Sequence, residues 1–302
     1  MGNNLSDKNE NKEKKGRGVS HSKIILMGEH SVVYGYPAIA IPLKNIRMEC
    51  IVERATVPFI HNKKDTLSTA IYTALNYLNK ENENIKYKVI SDIPPKRGMG
   101  SSAAVSIAAI RGVLDYFNTE VDNLTLEKLV NEAEIIAHNT PSGLDAKTCL
   151  SDSAIKFIKN KGFKNFEMNL GAYLLIADTG IHGHTRDAIM NIKNMGGRAL
   201  SMLEKLGKLT EETEKFIEEK DVINIGKNMI SAHGELKKLG VSIEKSDVLV
   251  KIAIDEGAYG AKMSGGGLGG CIITLMESKE KAEMTGKKLM EKGAVNIWIE
   301  AL

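Results

Sequence analysis

A short glycine and serine segment constrains the fold of this chain more than any other feature. Residues 94–104 have the sequence PPKRGMGSSAA and follow a strand-like run. The two prolines end that strand, and residues 102–117 favour a helix. Because the first N–H groups of a helix lack partners and its dipole favours negative charge, a glycine turn at that point can hold phosphate. The segment therefore predicts a strand–turn–helix unit with an anion site at the turn.

Two better-known phosphate motifs do not fit these glycines. No Lys-Ser or Lys-Thr pair follows them, as it would in a P-loop, and no third glycine follows at the offset of a dinucleotide-binding turn. A serine-capped helix without a ligand remains an alternative. One helix terminus contributes only about 0.3–2 kcal/mol to anion binding, so a bound triphosphate would need further donors or a metal ion.

The composition narrows the class of protein. The 302 residues suffice for one large domain or two ordinary ones, and a net charge of +3 is too small to indicate a nucleic-acid or membrane partner. Cys50, Cys149 and Cys271 lie far apart without metal-ligand spacing, which favours reduced thiols in a cytoplasmic protein. No apolar run reaches membrane-spanning length. Residues 1–18 are polar and charged, which predicts a disordered tail.

The hydrophobic pattern predicts both strands and helices from about Val19 onward. Predicted strands include residues 24–27, 32–34, 38–41, 47–54, 86–90, 173–177, 271–276 and 294–299. Predicted helices include residues 66–78, 102–117, 125–138, 185–194, much of 197–240, and 248–258. Thr125 is the predicted N-cap of its helix. Because strands and helices do not alternate strictly, the pattern predicts an α+β protein with two lobes, at residues 19–165 and 166–302.

Three charged side chains stand where chemistry is possible. Lys23 precedes the predicted strand 24–27. Glu134 falls at the edge of the apolar arc of its helix, where its carboxylate could hold Mg²⁺, which prefers oxygen ligands. Asp145 ends the turn-rich sequence HNTPSGLD, and beside a lysine it could orient or accept a hydroxyl proton. On spacing alone each has an ordinary alternative, namely a solvated lysine, a rim carboxylate and a helix cap.

A second glycine-rich segment joins two strand-like runs near the C-terminus. Residues 265–270 have the sequence GGGLGG, with five glycines in six positions. Glycine allows a backbone to approach another group closely. The segment is therefore either a floor beneath a ligand or a flexible hairpin.

The order of these segments is more specific than any one of them. Residues 23–35, 94–104 and 264–271 resemble the three motifs of the galactokinase, homoserine kinase, mevalonate kinase and phosphomevalonate kinase superfamily. The sequence GEHSVVYGYPAI from Gly28 resembles the mevalonate kinase family in particular, as does Glu134 standing eleven positions before Asp145. The sequence ADTG, followed shortly by HTR, is similar to the start of that family's C-terminal lobe.

This resemblance, which extends from about residue 19 to residue 302, implies a fold and an activity. The fold is α+β, with an N-terminal ribosomal-protein-S5-like lobe that binds ATP, a C-terminal ferredoxin-like lobe, and the active site between them. The implied activity is ATP-dependent phosphorylation of mevalonate to 5-phosphomevalonate, in the mevalonate pathway of isoprenoid biosynthesis, with Mg²⁺ as cofactor. The resemblance also suggests a homodimer.

The resemblance assigns roles to individual residues as well. Asp145 would be the catalytic base toward the substrate hydroxyl, with Lys23 beside it. Glu134 would hold Mg²⁺ together with a hydroxyl of Ser101 or Ser102. The residues assigned to ATP are Pro94, Lys96, Gly98, Met99, Gly100, Ser101, Ser102 and Ala103. The residues assigned to the substrate are Glu29, His30, Thr185 and Gly266.

Some positions depart from the usual family pattern. Ser22 replaces a glycine, Met99 a leucine, Lys96-Arg97 two small residues, and Asn139-Thr140 a Gly-Asn pair. None of these changes removes a group that the mechanism needs, and the Lys-Arg pair could attract phosphate or lie in solvent. Two alternatives remain: another kinase or a decarboxylase of the superfamily acting on a phosphorylated mevalonate, and a non-catalytic binding protein on the same fold.

Overall fold

The computed structural model describes residues 14–138 and 143–302, without the side chains of residues 136–138. Two antiparallel sheets organise it. The first contains β1 Lys15–Met27, β2 Pro37–Arg54, β3 Ile85–Ser91, β4 Ala154–Ile158 and β5 Gly162–Phe166. The second contains β6 Tyr173–Asp178, β7 Gly260–Ser264, β8 Cys271–Met276 and β9 Asn296–Ala301.

Helices cover both sheets. The helices of the described residues are α1 Thr66–Tyr77, α2 Ser101–Tyr116, α3 Asn123–His138, α4 Leu144–Leu150, α5 Thr185–Met195, α6 Gly197–Glu218, α7 Val222–Lys238, α8 Glu244–Asp255 and α9 Lys279–Glu291. A short 3₁₀ helix, Ser31–Tyr34, follows β1. Most of the helices predicted from hydrophobic spacing are present within a few residues of their predicted bounds. The predicted stretch 197–240 is two helices, because α7 starts anew at the N-cap Asp221, whose side chain accepts a hydrogen bond from the Asn224 N–H.

The first sheet is built around the long strand β2. In the order β1-β2-β4-β5, β2 pairs with β1 on one side, while β3 and β4 pair with its two halves on the other. Helix α2 packs directly on β1. A Cβ atom added at Gly18 would lie 2.0 Å from the Ala108 carbonyl oxygen, so glycine is required for this close approach. The packing fixes the position of α2, which begins at the predicted phosphate turn.

The second sheet has the order β7-β8-β6-β9 and shares a core with the first. Buried residues of β1 and α2, such as Leu26 and Ile107, belong to the same hydrophobic cluster as Leu174 of β6 and Met263 of β7. A smaller cluster lies between the second sheet and helices α8 and α9. Because one continuous core joins the two sheets, the loops at their junction are held by both.

The strand predicted at residues 32–34 is wrong, since these residues form the 3₁₀ helix. The β-branched valines favour a strand locally, but the backbone on both sides turns. Gly28, His30 and Gly35 all have positive φ angles, of 98°, 61° and 94°, which is incompatible with a continuous extended segment. The predicted strands 38–41 and 47–54 are also one strand, β2, rather than two.

The predicted N-cap of the third helix is wrong as well. Helix α3 begins at Asn123, and the Asp122 carboxylate accepts a hydrogen bond from the Thr125 N–H at 2.7 Å. Asp122, three residues upstream, therefore does the capping that was predicted for Thr125. The sequence also gave no signal for the β4–β5 hairpin or for the short helix α4.

The N-terminal region differs from prediction at one boundary. Strand β1 begins at Lys15 rather than near Val19, and it pairs with β2 from its first residue. Residues 15–18 of the predicted tail are therefore strand, while residues 1–13 lie outside the described part of the chain. Within the described residues, no helix is long and apolar enough to cross a membrane.

Candidate active site

A cleft of about 900 Å³ lies between the two lobes. It is lined by the turn before α2, by one face of α3 and by the first turn of α4 on one side. On the other side it is lined by the segment that starts α5 and by the glycine loop between β7 and β8. Five chain segments that are distant in sequence thus converge on one concave surface.

The turn before α2 is held in place by β1. Gly98 and Gly100 have positive φ angles of 76° and 70°, and Gly100 is the N-cap of α2. The buried Met99 between them accepts two hydrogen bonds at its carbonyl, from the Ser22 hydroxyl at 2.7 Å and from the Lys23 N–H at 3.2 Å. The serine that departs from the family pattern therefore anchors the turn. Because Gly100 has no side chain, the first-turn N–H groups of α2 are not capped by the residue before them.

Lys23 and Asp145 meet beside this turn. The Lys23 side chain is only 2% exposed, and its Nζ lies 2.8 Å from Asp145 Oδ1 and 3.4 Å from the Gly98 carbonyl oxygen. Asp145 stands in the first turn of α4 and is 44% exposed. The ammonium group thus comes from inside the protein, while the carboxylate faces the cleft that it lines.

Ser102 and Glu134 form a second polar pair on the same wall. The Ser102 hydroxyl, in the first turn of α2, donates to Glu134 Oε1 at 2.6 Å, and both residues line the cleft. A carboxylate and a hydroxyl are oxygen donors of the kind that Mg²⁺ prefers. No group of three or more His, Cys, Asp or Glu side chains in the described residues is arranged to hold a metal. This donor set fits Mg²⁺, which binds through one or two protein oxygens together with phosphate and water, and does not resemble an all-protein metal cage.

The C-terminal lobe packs glycine backbone against the phosphate turn and the start of α5. A Cβ atom added at Gly265 would lie 2.8 Å from the Gly98 Cα, and one at Gly266 would lie 1.8 Å from the Thr185 hydroxyl. The glycine loop is therefore packed against the phosphate turn and against the start of α5, which favours the predicted floor over a flexible hairpin.

Glu29 and His30 lie behind the cleft and are not among its lining residues. Glu29 is 1% exposed and pairs with the fully buried Lys262 of β7. Burial raises the pKa of the Glu29 carboxyl and lowers that of the Lys262 ammonium, while each partner opposes the shift of the other. Burial and the nearby Lys262 charge lower the pKa of His30 to about 4. The substrate role assigned to Glu29 and His30 by resemblance stays a prediction.

The structure brings together most, but not all, of the predicted site. The predicted residues that line the cleft are Lys96, Gly98, Gly100, Ser101, Ser102, Glu134, Asp145, Thr185 and Gly266. Pro94, Met99 and Ala103 are not among the lining residues. Sequence reasoning missed Asn131, which lines the cleft one helical turn before Glu134; the i, i+3 spacing on α3 was the signal that could have found it. It also assigned no role to His182 and Arg186, which lie three residues before and one residue after Thr185 and line the cleft as well.

Comparison with known proteins defines the class of this protein. Residues 68–152 match the GHMP kinases N terminal domain, and residues 213–293 match the GHMP kinases C terminal family. The mevalonate kinase of Pyrococcus furiosus is 31% identical in an alignment that covers 89% of this chain and 91% of that protein. The chain therefore belongs to the GHMP kinase family and is an ATP-dependent small-molecule kinase of the two-lobed α+β type.

Its relatives within that family are more specific. The mevalonate kinase of methicillin-resistant Staphylococcus aureus MRSA252 is 29% identical with a TM-score of 0.77, and the match covers 96% of this chain and 99% of that one. The L. major mevalonate kinase in complex with R-mevalonate shares the fold, with a TM-score of 0.83 at 23% identity over 95% and 96% of the two chains. These similarities group the chain with the mevalonate kinases among the GHMP kinases.

Proposed function

We propose that this enzyme transfers the γ-phosphate of ATP to the C5 hydroxyl of mevalonate and so makes 5-phosphomevalonate for isoprenoid biosynthesis. One observation carries the proposal: a buried lysine holds a half-exposed aspartate at the edge of a phosphate-type turn, inside the cleft between the lobes. That arrangement provides a proton acceptor for an alcohol next to a place for a triphosphate. The likeness to mevalonate kinases supports mevalonate as the alcohol.

The phosphates of ATP would bind at the turn before α2. Gly98 and Gly100 let the backbone approach an anion closely, and the uncapped N–H groups and dipole of α2 favour negative charge there. The exposed Lys96, which also lines the cleft, would add positive charge. Phosphoryl transfer depends mainly on such positioning and charge stabilisation.

Glu134 and the Ser102 hydroxyl would hold Mg²⁺ in this proposal. Their 2.6 Å contact places two oxygen donors together at the start of α2, which favours Ser102 over Ser101 as the serine ligand. When bound, the ion neutralises charge on the β- and γ-phosphates. The carboxylate belongs to α3 and the hydroxyl to the first turn of α2, so these two helices together form this side of the cleft.

Asp145 would accept the proton of the substrate hydroxyl as that oxygen attacks the phosphate. Lys23 fixes one carboxylate oxygen of Asp145 at 2.8 Å, so the side chain is oriented before the substrate arrives. Thr185 and Gly266 lie on the opposite side of the cleft, where we place the substrate and the transferred phosphate. Glu29 and His30 would contribute to the substrate pocket from behind.

The wider assignments follow from the same likeness. Residues 19–165 would be the ATP-binding lobe and residues 166–302 the C-terminal lobe, in keeping with a first sheet that ends at Phe166 and a second that begins at Tyr173. A cytoplasmic homodimer acting on small molecules is the proposed working form.

The test is a panel of alcohols with ATP and Mg²⁺. ADP release is measured with mevalonate, 5-phosphomevalonate and 5-diphosphomevalonate, each alone, against ATP without acceptor. We expect release above background with mevalonate only. Release only with one of the phosphorylated acceptors would replace the proposed substrate, and release with none would contradict the proposed activity.

A further inference from the structure

Arg97 stands directly before the phosphate turn, but its side chain contacts the C-terminal lobe. Its Nε lies 2.7 and 2.8 Å from the two carboxylate oxygens of Asp178, and its Nη2 donates to the Gly180 carbonyl at 3.2 Å. The two side chains are only 11% and 4% exposed. Asp178 is the last residue of β6. A nearly buried ion pair therefore joins the turn of one lobe to the end of a strand in the other.

The backbone around this ion pair is fixed on both sides. The Gly183 N–H donates to the Lys96 carbonyl at 2.9 Å, and the Gly180 N–H donates to Asp178 Oδ1 at 2.7 Å. A Cβ atom added at Gly270 would lie 2.9 Å from the Arg97 carbonyl oxygen. The ion pair is thus part of a packed junction, and Arg97 is not among the residues that line the cleft.

The phosphate turn needs such a restraint because of its own sequence. Glycine loses more conformational freedom on ordering than any other residue, and Gly98 and Gly100 are separated by one residue. On its C-terminal side, the turn is held through the Met99 carbonyl by Ser22 and Lys23. On its N-terminal side, Arg97 is the first side chain available. A planar guanidinium held by a carboxylate has a better-defined orientation than a lysine would have.

We propose that Arg97 is a positioning residue, which fixes the phosphate turn against the C-terminal lobe through Asp178 and so sets the geometry in which ATP binds. This inference rests on the nucleotide half of the proposed function and does not depend on which alcohol is phosphorylated. It differs from both roles that the sequence left open for the Lys96-Arg97 pair, which were attraction of phosphate and exposure to solvent.

Direct contact between Arg97 and phosphate is the competing explanation. Arg97 Nη1 is buried and has no hydrogen-bond partner among the described residues, so one nitrogen of the guanidinium could serve a ligand. The two explanations differ in what they require of Asp178. A positioning role needs the carboxylate as much as the guanidinium, whereas a direct phosphate contact needs only the guanidinium.

The experiment compares Arg97→Gln, Asp178→Asn and the double variant. Binding of Mg·ADP is measured by calorimetry, and kcat and KM are measured for ATP and for mevalonate. Because a misplacement of about 1 Å can lower a rate by on the order of 10²-fold, we expect each single variant to lower kcat/KM for ATP by about 10- to 100-fold and to weaken Mg·ADP binding. The KM for mevalonate should change much less. The double variant should bind Mg·ADP no more weakly than the single variant with the larger loss, since both residues act through the same contact.

Two results would overturn the inference. Unchanged Mg·ADP affinity in a folded Arg97→Gln protein would show that the turn does not need the ion pair. Unchanged affinity in Asp178→Asn, with a loss in Arg97→Gln, would show direct phosphate contact instead. If Arg97→Gln does not fold, Arg97→Lys replaces it: partial retention of nucleotide affinity is expected, and full retention would contradict the need for a guanidinium.

The matched control is an ion pair that also joins the lobes but lies away from the turn. Lys156 of β4 pairs with Glu214 of α6, and these side chains are 19% and 17% exposed. Lys156→Gln should leave Mg·ADP affinity unchanged. If it lost as much affinity as Arg97→Gln, the effect of Arg97→Gln would be explained by general destabilisation of the protein. Calorimetry also separates the role proposed for Arg97 from the proposed substrate. Mg·ADP binding tests the role of Arg97 even if mevalonate is not the acceptor.

Discussion

Two lysine–carboxylate pairs in this protein are built alike and differ in one respect. Lys23 and Lys262 are both almost fully buried, and each contacts one carboxylate and one backbone carbonyl oxygen. The carboxylate partner of Lys23 is Asp145, 44% exposed at the cleft. The partner of Lys262 is Glu29, 1% exposed behind it. We call these the open pair and the closed pair.

Access to the cleft decides what each pair can do. The open pair has a carboxylate that a substrate can reach and whose position is fixed, which suits proton transfer. In the closed pair, burial raises the pKa of Glu29 and lowers that of Lys262, because a low-dielectric surrounding disfavours both charges. The closed pair joins the loop after β1 to β7, across 233 residues of sequence, and so connects the two lobes. Similar chemical groups are thus placed for proton transfer in one region and for joining the lobes in the other.

The largest effect that this comparison predicts is on turnover. Asp145→Asn keeps the shape of the side chain but removes the proton acceptor, so kcat should fall by roughly 10²- to 10⁴-fold. Mg·ADP affinity should change little, because Asp145 is not among the residues assigned to ATP. Steady-state kinetics and calorimetry measure these quantities. The matched control is Asp152→Asn, an exposed aspartate just after the same short helix, which should keep wild-type kcat. Unchanged kcat in Asp145→Asn would show that the open pair is not the catalytic one.

The next effect is on stability and concerns the closed pair. Lys262→Met leaves Glu29 buried without its partner, which should cost about 3–5 kcal/mol of unfolding free energy. Replacing both residues, by Lys262→Met with Glu29→Leu, should recover most of that loss, since a well-packed apolar pair can match a buried ion pair. Urea unfolding of the three proteins measures this difference.

Exposed ion pairs provide the control for that measurement. Lys251 and Asp255 pair on the surface of α8 with 75% and 59% exposure, and exposed pairs contribute about 0–1 kcal/mol. Lys251→Met should therefore be close to neutral. If Lys262→Met were equally mild, the closed pair would not hold the lobes together, and the contrast between the two regions would be wrong.

The two pairs also show how far the sequence could predict this site. Lys23, Glu134 and Asp145 belong to segments whose order resembles a known family, and the structure places them around one cleft. Glu29 was named, but its partner was not, since Lys262 lies in an apolar strand and nothing local marks a buried lysine as paired. Asp178 stands in the ADTG sequence that resembles the family, but its pairing with Arg97 was not predicted. Long-range ion pairs are created by the tertiary fold, so neither periodicity nor spacing can reveal them.

Local structure was predictable where one physical signal dominated. Helices with a clear apolar stripe were predicted accurately. For α1 and α2, each predicted end lies within about one residue of the observed end. The residues of the 3₁₀ helix were predicted as strand because valine propensity and backbone turning give opposite signals there. The hairpin of β4 and β5 was missed because β5 is mostly exposed, so it has no alternation of buried and exposed residues to detect.

The smallest predicted effect is a pH dependence on the closed side of the molecule. His233 of α7 accepts a hydrogen bond at Nδ1 from the Met263 N–H at 3.3 Å, next to Lys262. Burial lowers the pKa of His233 to about 4, with Asp247 opposing the shift and the Lys262 and Lys237 charges adding to it. The unfolded chain therefore binds the proton more readily than the folded protein between pH 6.5 and 4, so stability falls as the pH falls through that window.

The expected loss attributable to His233 between pH 7 and 4.5 is about 2–3 kcal/mol. Urea unfolding at both pH values measures it, in the wild type and in His233→Gln, whose amide oxygen can still accept a hydrogen bond but does not titrate. The variant should lose less stability on acidification by that amount. An identical pH dependence in both proteins would place the proton uptake elsewhere.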